Sequence, residues 1–321
     1  MFELDLVKPI ILQQHEAILN RLSENLVIRS EIEEKRIILS SGYRGEKTLK
    51  YYLSLLPPKQ YHIFQGLRLP IGDTFFQMDA VLFSTKLGFI IEGKNFSGDI
   101  LIEKHQLTQT FNETVKIYSN PLDQVNRHKI LLNNFFDKHQ IPLTPIENLV
   151  SFTNQSASLQ ITQGYNEAQK RICKADNLLM KIIEHSKGYK QDCIDQKTIS
   201  RMKKLLLNKH TPLRIDIIQT YGINKNNIIT GVRCPICLFT PMDYKGRHWE
   251  CPSCKILSKD AHLKDIKEYF LIFGPTITNL ELREFLHLPS TRAATYLFSF
   301  LHFPYIGTTK GRIYHQPKDF L

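Results

Sequence analysis

Two groups of side chains in this 321-residue chain have types and spacings suited to chemistry. The first lies in Gln77-Met78-Asp79 and Glu92-Gly93-Lys94. Between them, Ser84-Thr85-Lys86 reads as a tight turn joining two strands. A turn centred on Thr85-Lys86 sets residue 79 opposite residue 92, and facing residues share one side of an antiparallel pair. Lys94, two residues beyond Glu92, projects from the same face. Opposed carboxylates repel, and Val81, Ile90 and Ile91 would desolvate them, so a cation is needed to offset the cost. Oxygen donors with a partial water shell suit Mg²⁺. Lys94 would then orient or help deprotonate an attacking water, or stabilise charge on a phosphate. Taken singly, each of the three is by default a solvated strand residue, and a one-residue change of register separates them. Glu46 stands at helical spacing with Leu49, Leu53 and Leu56, pointing toward the core side. The alternative for Glu46 is a first-turn carboxylate favoured by the helix dipole.

The second group is Cys234-Pro235-Ile236-Cys237 and Cys251-Pro252-Ser253-Cys254, separated by the thirteen residues Leu238 to Glu250. Each pair supplies two thiolates on a tight knuckle, and together they complete a closed tetrahedral zinc site. Four sulfur ligands leave no open position, so this zinc is structural. Between the knuckles, Tyr244-Lys245-Gly246-Arg247-His248-Trp249 reads as a hairpin turn. The ribbon is a folding staple, a protein-contact module or a strand-binding module. In the last case Lys245, Arg247 and Lys255 meet phosphates and Tyr244 or Trp249 stacks on bases. Trp249 could equally pack beneath the knuckle. Cys173 and Cys193 are expected to be buried or half-buried residues of a helical segment.

Composition narrows the class. Apolar residues make up 42% of the chain, as in globular proteins, and the formal charge of +11 favours a polyanionic partner. The start Met1-Phe2-Glu3-Leu4-Asp5 is acidic, unlike a signal peptide. The apolar runs Leu87 to Ile91 and Tyr296 to Phe303 are too short to span a bilayer. These features, with paired cysteines suited to a reducing compartment, point to a cytoplasmic protein.

Periodicity outlines the helices and strands that carry these groups. Residues 1 to about 40 read as helical, with Ile10, Ile11, Ile18 and Leu22 on a buried stripe. Gly42 and Gly45 punctuate the chain before a second helix from about Gly45 to Leu56, stopped by Pro57-Pro58. A β-meander spans Tyr61 to about Leu107. Asn120-Pro121 opens a helix carrying Val125, Ile130, Leu131, Phe135 and Phe136, and a short strand follows at Asn148 to Phe152. Residues 162 to 210 look helical. Beyond the cysteines, a helix ends at Gly274-Pro275. A second, capped by Thr278 or Asn279, carries Leu280, Leu282, Phe285 and Leu286. A third turns Ala293, Ala294, Leu297, Phe298 and Leu301 inward and leaves Thr291, Arg292 and Thr295 at its exposed start. A two-strand tail has Gly307 to Arg312 as its tip.

Gly42-Tyr43-Arg44-Gly45-Glu46, Gln77-Met78-Asp79, Glu92 to Gly98 and Asn120-Pro121-Leu122-Asp123-Gln124, followed by Leu149-Val150-Ser151-Phe152, resemble the nuclease-related domain family, NERD. The resemblance covers roughly residues 40 to 155. It implies an α/β, restriction-endonuclease-like mixed sheet flanked by helices. It also implies Asp79 and Glu92 as Mg²⁺ ligands, Lys94 as the catalytic lysine, Glu46 as an auxiliary acid and Gln124 as the helix glutamine of the site. His128, one turn after Gln124, shares its face; the pair could contact phosphate or the metal shell, or be a plain helix surface. Gly93 departs from the apolar residue usual at its position. The four cysteines resemble topoisomerase-type zinc ribbons. The last unit resembles a winged helix, with the start of the third helix in a major groove and Lys310 and Arg312 at the backbone; the alternative is a small helical packing domain.

The expected organisation is an N-terminal helical segment (1–41), a nuclease-like domain (42–155), a helical extension (156–228), the ribbon (229–258) and a winged-helix-like unit (259–321). The expected function is Mg²⁺-dependent hydrolysis of nucleic acid, DNA before RNA, by a chain held to its substrate by ribbon and winged helix. The rivals are a DNA-binding regulator with an inactive nuclease core and a protein-interaction adaptor.

Overall fold

The computed structural model describes residues 1–317 and 320. The chain forms two compact units, one from Met1–Pro9 and Leu39–Leu213, the other from Ile10–Ile38 and Arg214–Leu321. Helix α1 (Ile10–Arg21) belongs to the second unit, and α2 (Ile28–Ser54) begins there and ends in the first. No helix among the described residues is long and apolar enough to cross a membrane.

The strands of the first unit are β1 (Phe2–Leu4), β2 (His62–Ile71), β3 (Thr74–Phe83), β4 (Gly88–Lys94), β5 (Gly98–Ile102), β6 (Gln106–Phe111), β7 (Thr114–Ser119), β8 (Ile146–Phe152), β9 (Ala157–Ile161) and β10 (Ile172–Lys174). Six of them form a mixed sheet in the order β1-β2-β3-β4-β8-β10. The β2-β3-β4 meander is antiparallel, and β8 runs parallel to β4. The other four make a second sheet, β7-β6-β5-β9. An α/β architecture with mixed sheets and flanking helices is therefore what the residues build.

Both faces of the main sheet are covered, which explains why β4 is buried from Gly88 to Glu92 instead of alternating. On one face lie α3 (Pro121–Lys138) and α6 (Gln196–Lys209), which bring Leu132, Phe136, Met202 and Leu206 against Val81 and Ile90. On the other lie the end of α2 and α5 (Leu178–Ser186), which bring Leu49, Leu53 and Ile182 against Leu82 and Ile91. Ile130, expected on the inward stripe of α3, is 60% exposed. Cys173 is buried in strand β10, not in a helix, and Cys193 is exposed.

Gly42 and Gly45 do not punctuate: α2 runs through both. A Cβ on Gly45 would stand 2.8 Å from both Asn95 Cβ and Thr153 Oγ1. The glycine gives up about 1 kcal/mol of helix propensity for a close approach of helix to strand ends.

In the second unit, α1 packs with Ile217, Leu271 and Ile272. A separate core holds the ribbon and the C-terminal elements together, with Cys234, Trp249, Ile266, Phe285 and Phe298 in one cluster. These elements are α8 (His262–Phe273), β14 (Thr276–Thr278), α9 (Asn279–Leu286), α10 (Thr291–Phe300), β15 (Tyr305–Ile306) and β16 (Ile313–His315), after the short ribbon strands β11 (Asp243–Tyr244), β12 (Trp249–Glu250) and β13 (Leu257–Ser258). Strands β14, β16 and β15 form an antiparallel sheet in that order. Thr278 caps α9 in a reciprocal capping box with Glu281. Leu280, expected inward, is 51% exposed. Buried Arg21 donates to Glu268 at 2.6 Å, to the Gly231 carbonyl at 2.8 Å and to Asp265, tying α1, α8 and the approach to the ribbon together.

Candidate active site and thiol cluster

The hairpin from β3 to β4 has the register that a turn at Thr85-Lys86 requires, with Ala80 facing Ile91 and Phe83 facing Gly88. The ladder ends at the Ala80–Ile91 pair, so Asp79 and Glu92 follow directly beyond it. The Gly93 N–H donates to Asp79 Oδ2 at 2.8 Å, which binds this carboxylate to the end of β4.

Glu92 is 5% exposed. Its Oε1 accepts from Lys94 Nζ at 2.8 Å and from Gln124 Nε2 at 2.7 Å, while Lys94 Nζ also donates to Gln124 Oε1 at 2.8 Å. The three side chains close a ring of hydrogen bonds, charge-assisted on both the acid and the amine. Gln124 is delivered by the first turn of α3, whose phase is set by Asn120. This fully buried N-cap accepts from Leu122 N and donates to the Glu103 and Lys104 carbonyls and to Tyr165. The end of β4 is pinned twice more. Thr153 N donates to the Lys94 carbonyl at 2.9 Å, and Asn95 donates to the Ser41 carbonyl at 2.7 Å. Asn95 and Asn120 thus act as ties; both lie inside the motifs read from the sequence, where composition does not separate a tie from a reacting group.

Burial, with Glu92 and Glu46 nearby, pushes the Asp79 carboxyl well above its ordinary value. Burial and the charge of Glu92 raise Glu46 to about 7. Three acids within electrostatic reach, one half-buried lysine amine among them and oxygen donors throughout make a donor set that a hard divalent cation fits. Among the described residues, the four cysteines are the only group of three or more His, Cys, Asp or Glu whose ligand atoms lie within 4.8 Å of one another. His128 is half-buried beside Phe76, its pKa lowered by burial, and its Nδ1 has no partner among the described residues.

Gly93 does not open needed space. A Cβ there would lie 3.5 Å from Asp79 Oδ2 and 3.8 Å from Leu49 and Thr153, ordinary contact distances.

The thiols of Cys234, Cys237, Cys251 and Cys254 converge, with Cys234 to Cys254 and Cys237 to Cys251 sulfur distances of 3.5 Å. That is far longer than a disulfide and close to the edge of about 3.8 Å for a tetrahedron of zinc-bound sulfurs. The two knuckles repeat one backbone pattern. Leu238 N and Lys255 N donate to the Cys234 and Cys251 carbonyls, and both residues adopt positive φ. The Cys237 and Cys254 N–H groups donate to the sulfurs of Cys234 and Cys251. This cluster can hold zinc.

The proposed nucleic-acid contacts have varied surroundings. Trp249 is 1% exposed and donates to His262 Nδ1 at 3.1 Å, so it packs beneath the ribbon and offers no face for stacking. Tyr244 is half-buried against the edge of Trp249. Arg247 and Lys255 are exposed, and Lys245 is exposed beside Asp243. Thr291, Arg292 and Thr295 are exposed at the start of α10, although the Thr295 hydroxyl donates to the Thr291 carbonyl. Arg312 is half-buried with its guanidinium 4.5 Å from the Tyr305 ring centre. The side chain of Lys310 lies outside the described residues.

The family model of the nuclease-related domain, NERD, matches residues 41–153. No curated protein and no solved structure matches the chain. The stretch that carries Glu46, Asp79 and the ring of Glu92, Lys94 and Gln124 is thus a nuclease-related domain of the NERD family.

Proposed function

We propose that this protein is a Mg²⁺-dependent nuclease that hydrolyses phosphodiester bonds, with DNA as its substrate. The observation that carries the reading is the hydrogen-bonded ring of Glu92, Lys94 and Gln124 set beside Asp79. Asp79 and Glu92 would hold the cation, which supplies charge neutralisation at the phosphate and a lowered pKa for a nearby water. Lys94 keeps its ammonium at a defined point because Glu92 and Gln124 both accept from it, and there it stabilises charge developing on the phosphate. Glu46, raised to about 7, exchanges a proton near neutral pH and suits a role as auxiliary acid.

The second unit would deliver the strand. The order α8, β14, α9, α10, β15, β16, with β14 completing the sheet, follows that of a winged helix and supports that reading. Thr291, Arg292 and Thr295 would then approach the groove, with Arg312, Lys310, Lys245, Arg247 and Lys255 serving phosphates.

Cleavage of labelled DNA with and without Mg²⁺ tests the proposal, comparing the parent with Glu92→Gln and Lys94→Ala. Metal-dependent cutting abolished by both is expected. Cutting that survives both would sink it, and salt-dependent binding without cutting in the parent would favour the regulatory alternative.

A further inference from the structure

We propose that Arg292, Tyr296 and Phe300 on α10, with Arg247 from the ribbon hairpin, form a stacking platform for the unpaired bases of a single-stranded nucleic acid. The platform deepens the nucleic-acid reading above and rests on it.

Residues 292, 296 and 300 recur every four positions, so they share one face of α10. The opposite face is spent on the core, where Ala293, Ala294, Leu297 and Phe298 are buried. Tyr296 and Phe300 remain 40% and 62% exposed, yet their rings lie nearly parallel, 18° apart with centres separated by 6.1 Å. The Arg247 guanidinium sits 5.8 Å from the Tyr296 ring centre. Ribbon and α10 share one hydrophobic core, so this pairing is held within a single body.

The chemistry of the face selects its occupant. Two exposed aromatic rings offer π-faces to any base, and the flanking guanidinium groups of Arg247 and Arg292 suit phosphates. A purely apolar partner would desolvate those charges without compensation. A duplex hides its base faces in its own stack, which leaves a single strand as the ligand. Trp249 is buried and Tyr244 half-buried, so the stacking role moves from the ribbon's own aromatics to α10.

The test uses the full zinc-loaded chain carrying Glu92→Gln, which keeps the probe intact. Its affinity is measured for an oligothymidylate of about ten nucleotides and for an abasic strand of the same length. Base-bearing strand should bind roughly tenfold or more tightly than abasic strand. Tyr296→Ala and Phe300→Ala should each shrink that ratio while leaving abasic binding unchanged, and Tyr296→Phe should preserve it. Unchanged zinc content and circular dichroism certify the fold of each variant. An undiminished ratio in both alanine variants overturns the platform alone. Failure of the chain to bind either strand overturns the platform, and failure to bind duplex DNA as well overturns the nucleic-acid reading with it.

Discussion

Gly66 lies opposite Asp79 in the β2–β3 ladder, between the pairs Gln65–Ala80 and Leu67–Met78, and it adopts φ +61°. Residues two apart on a strand normally share a face. Here Met78 packs in the core under α3 and α6, whereas Ala80 packs in the core under α2. The ribbon turns over at the Gly66–Asp79 pair, which is how Asp79 leaves the regular alternation beside Glu92.

Gly66→Ala tests that device. No atom lies within 4 Å of the added Cβ, so the cost is conformational, about 1 kcal/mol for a left-handed non-glycine residue. Cleavage should fall by more than this stability loss accounts for, because Asp79 is re-aimed. Thermal unfolding alongside cleavage rates checks it; a rate that tracks stability alone would refute the positioning role.

Gln124→Ala removes one donor to Glu92 and one acceptor for Lys94. The lost bonds should cost about 1 kcal/mol of stability each. Freed from one anchor, the ammonium of Lys94 should misplace enough to cut kcat by roughly 100-fold with a smaller change in KM. Steady-state cleavage kinetics would show the split.

Gly93→Ala should be neutral or stabilising by up to about 1 kcal/mol, since alanine costs the unfolded chain less entropy and its methyl fits at contact distance. Cleavage should persist. Urea denaturation measures the first expectation, and loss of activity would mean that the glycine serves the reaction itself.

The pH dependence of stability follows from acids raised in the fold. Glu46 goes from an ordinary 4.5 to about 7, so between those values the folded state binds more protons than the unfolded one. Its contribution is fully present below about 4.5 and is lost as pH rises through about 7; Asp79 acts in the same direction. Metal-free protein should therefore lose stability from pH 5 to pH 8. Added Mg²⁺ should restore Tm most at the upper end, and Glu46→Gln should flatten the slope. A Tm that rises over this window, or a slope that Glu46→Gln leaves intact, would count against the assigned cause.

Zinc removal has an optical signature. The chain has one tryptophan, Trp249, buried beneath the ribbon. Chelation, or Cys251→Ser, should shift its emission to the red as the knuckles open, because a metal-held site stabilises the fold it completes. Emission unaltered by complete zinc loss would show that the surrounding core holds the ribbon unaided.

What the sequence determined was local or strictly periodic. A turn at Thr85-Lys86 sets Phe83 against Gly88 and Ala80 against Ile91 because antiparallel pairing counts outward from the turn. The cysteine spacing builds two like knuckles, and Asn120 and Thr278 cap their helices through atoms a few residues away. Tertiary structure decided what depends on distant segments. Helix α2 continues through Gly45 because Asn95 and Thr153 need the space. Trp249 is buried because His262 and the C-terminal core lie over it, and Asp79 leaves its alternation because Gly66 on another strand turns the ladder over. Propensity and pattern report on neighbours along the chain, whereas close approach, burial and strand turnover are set by partners that only the folded chain brings together.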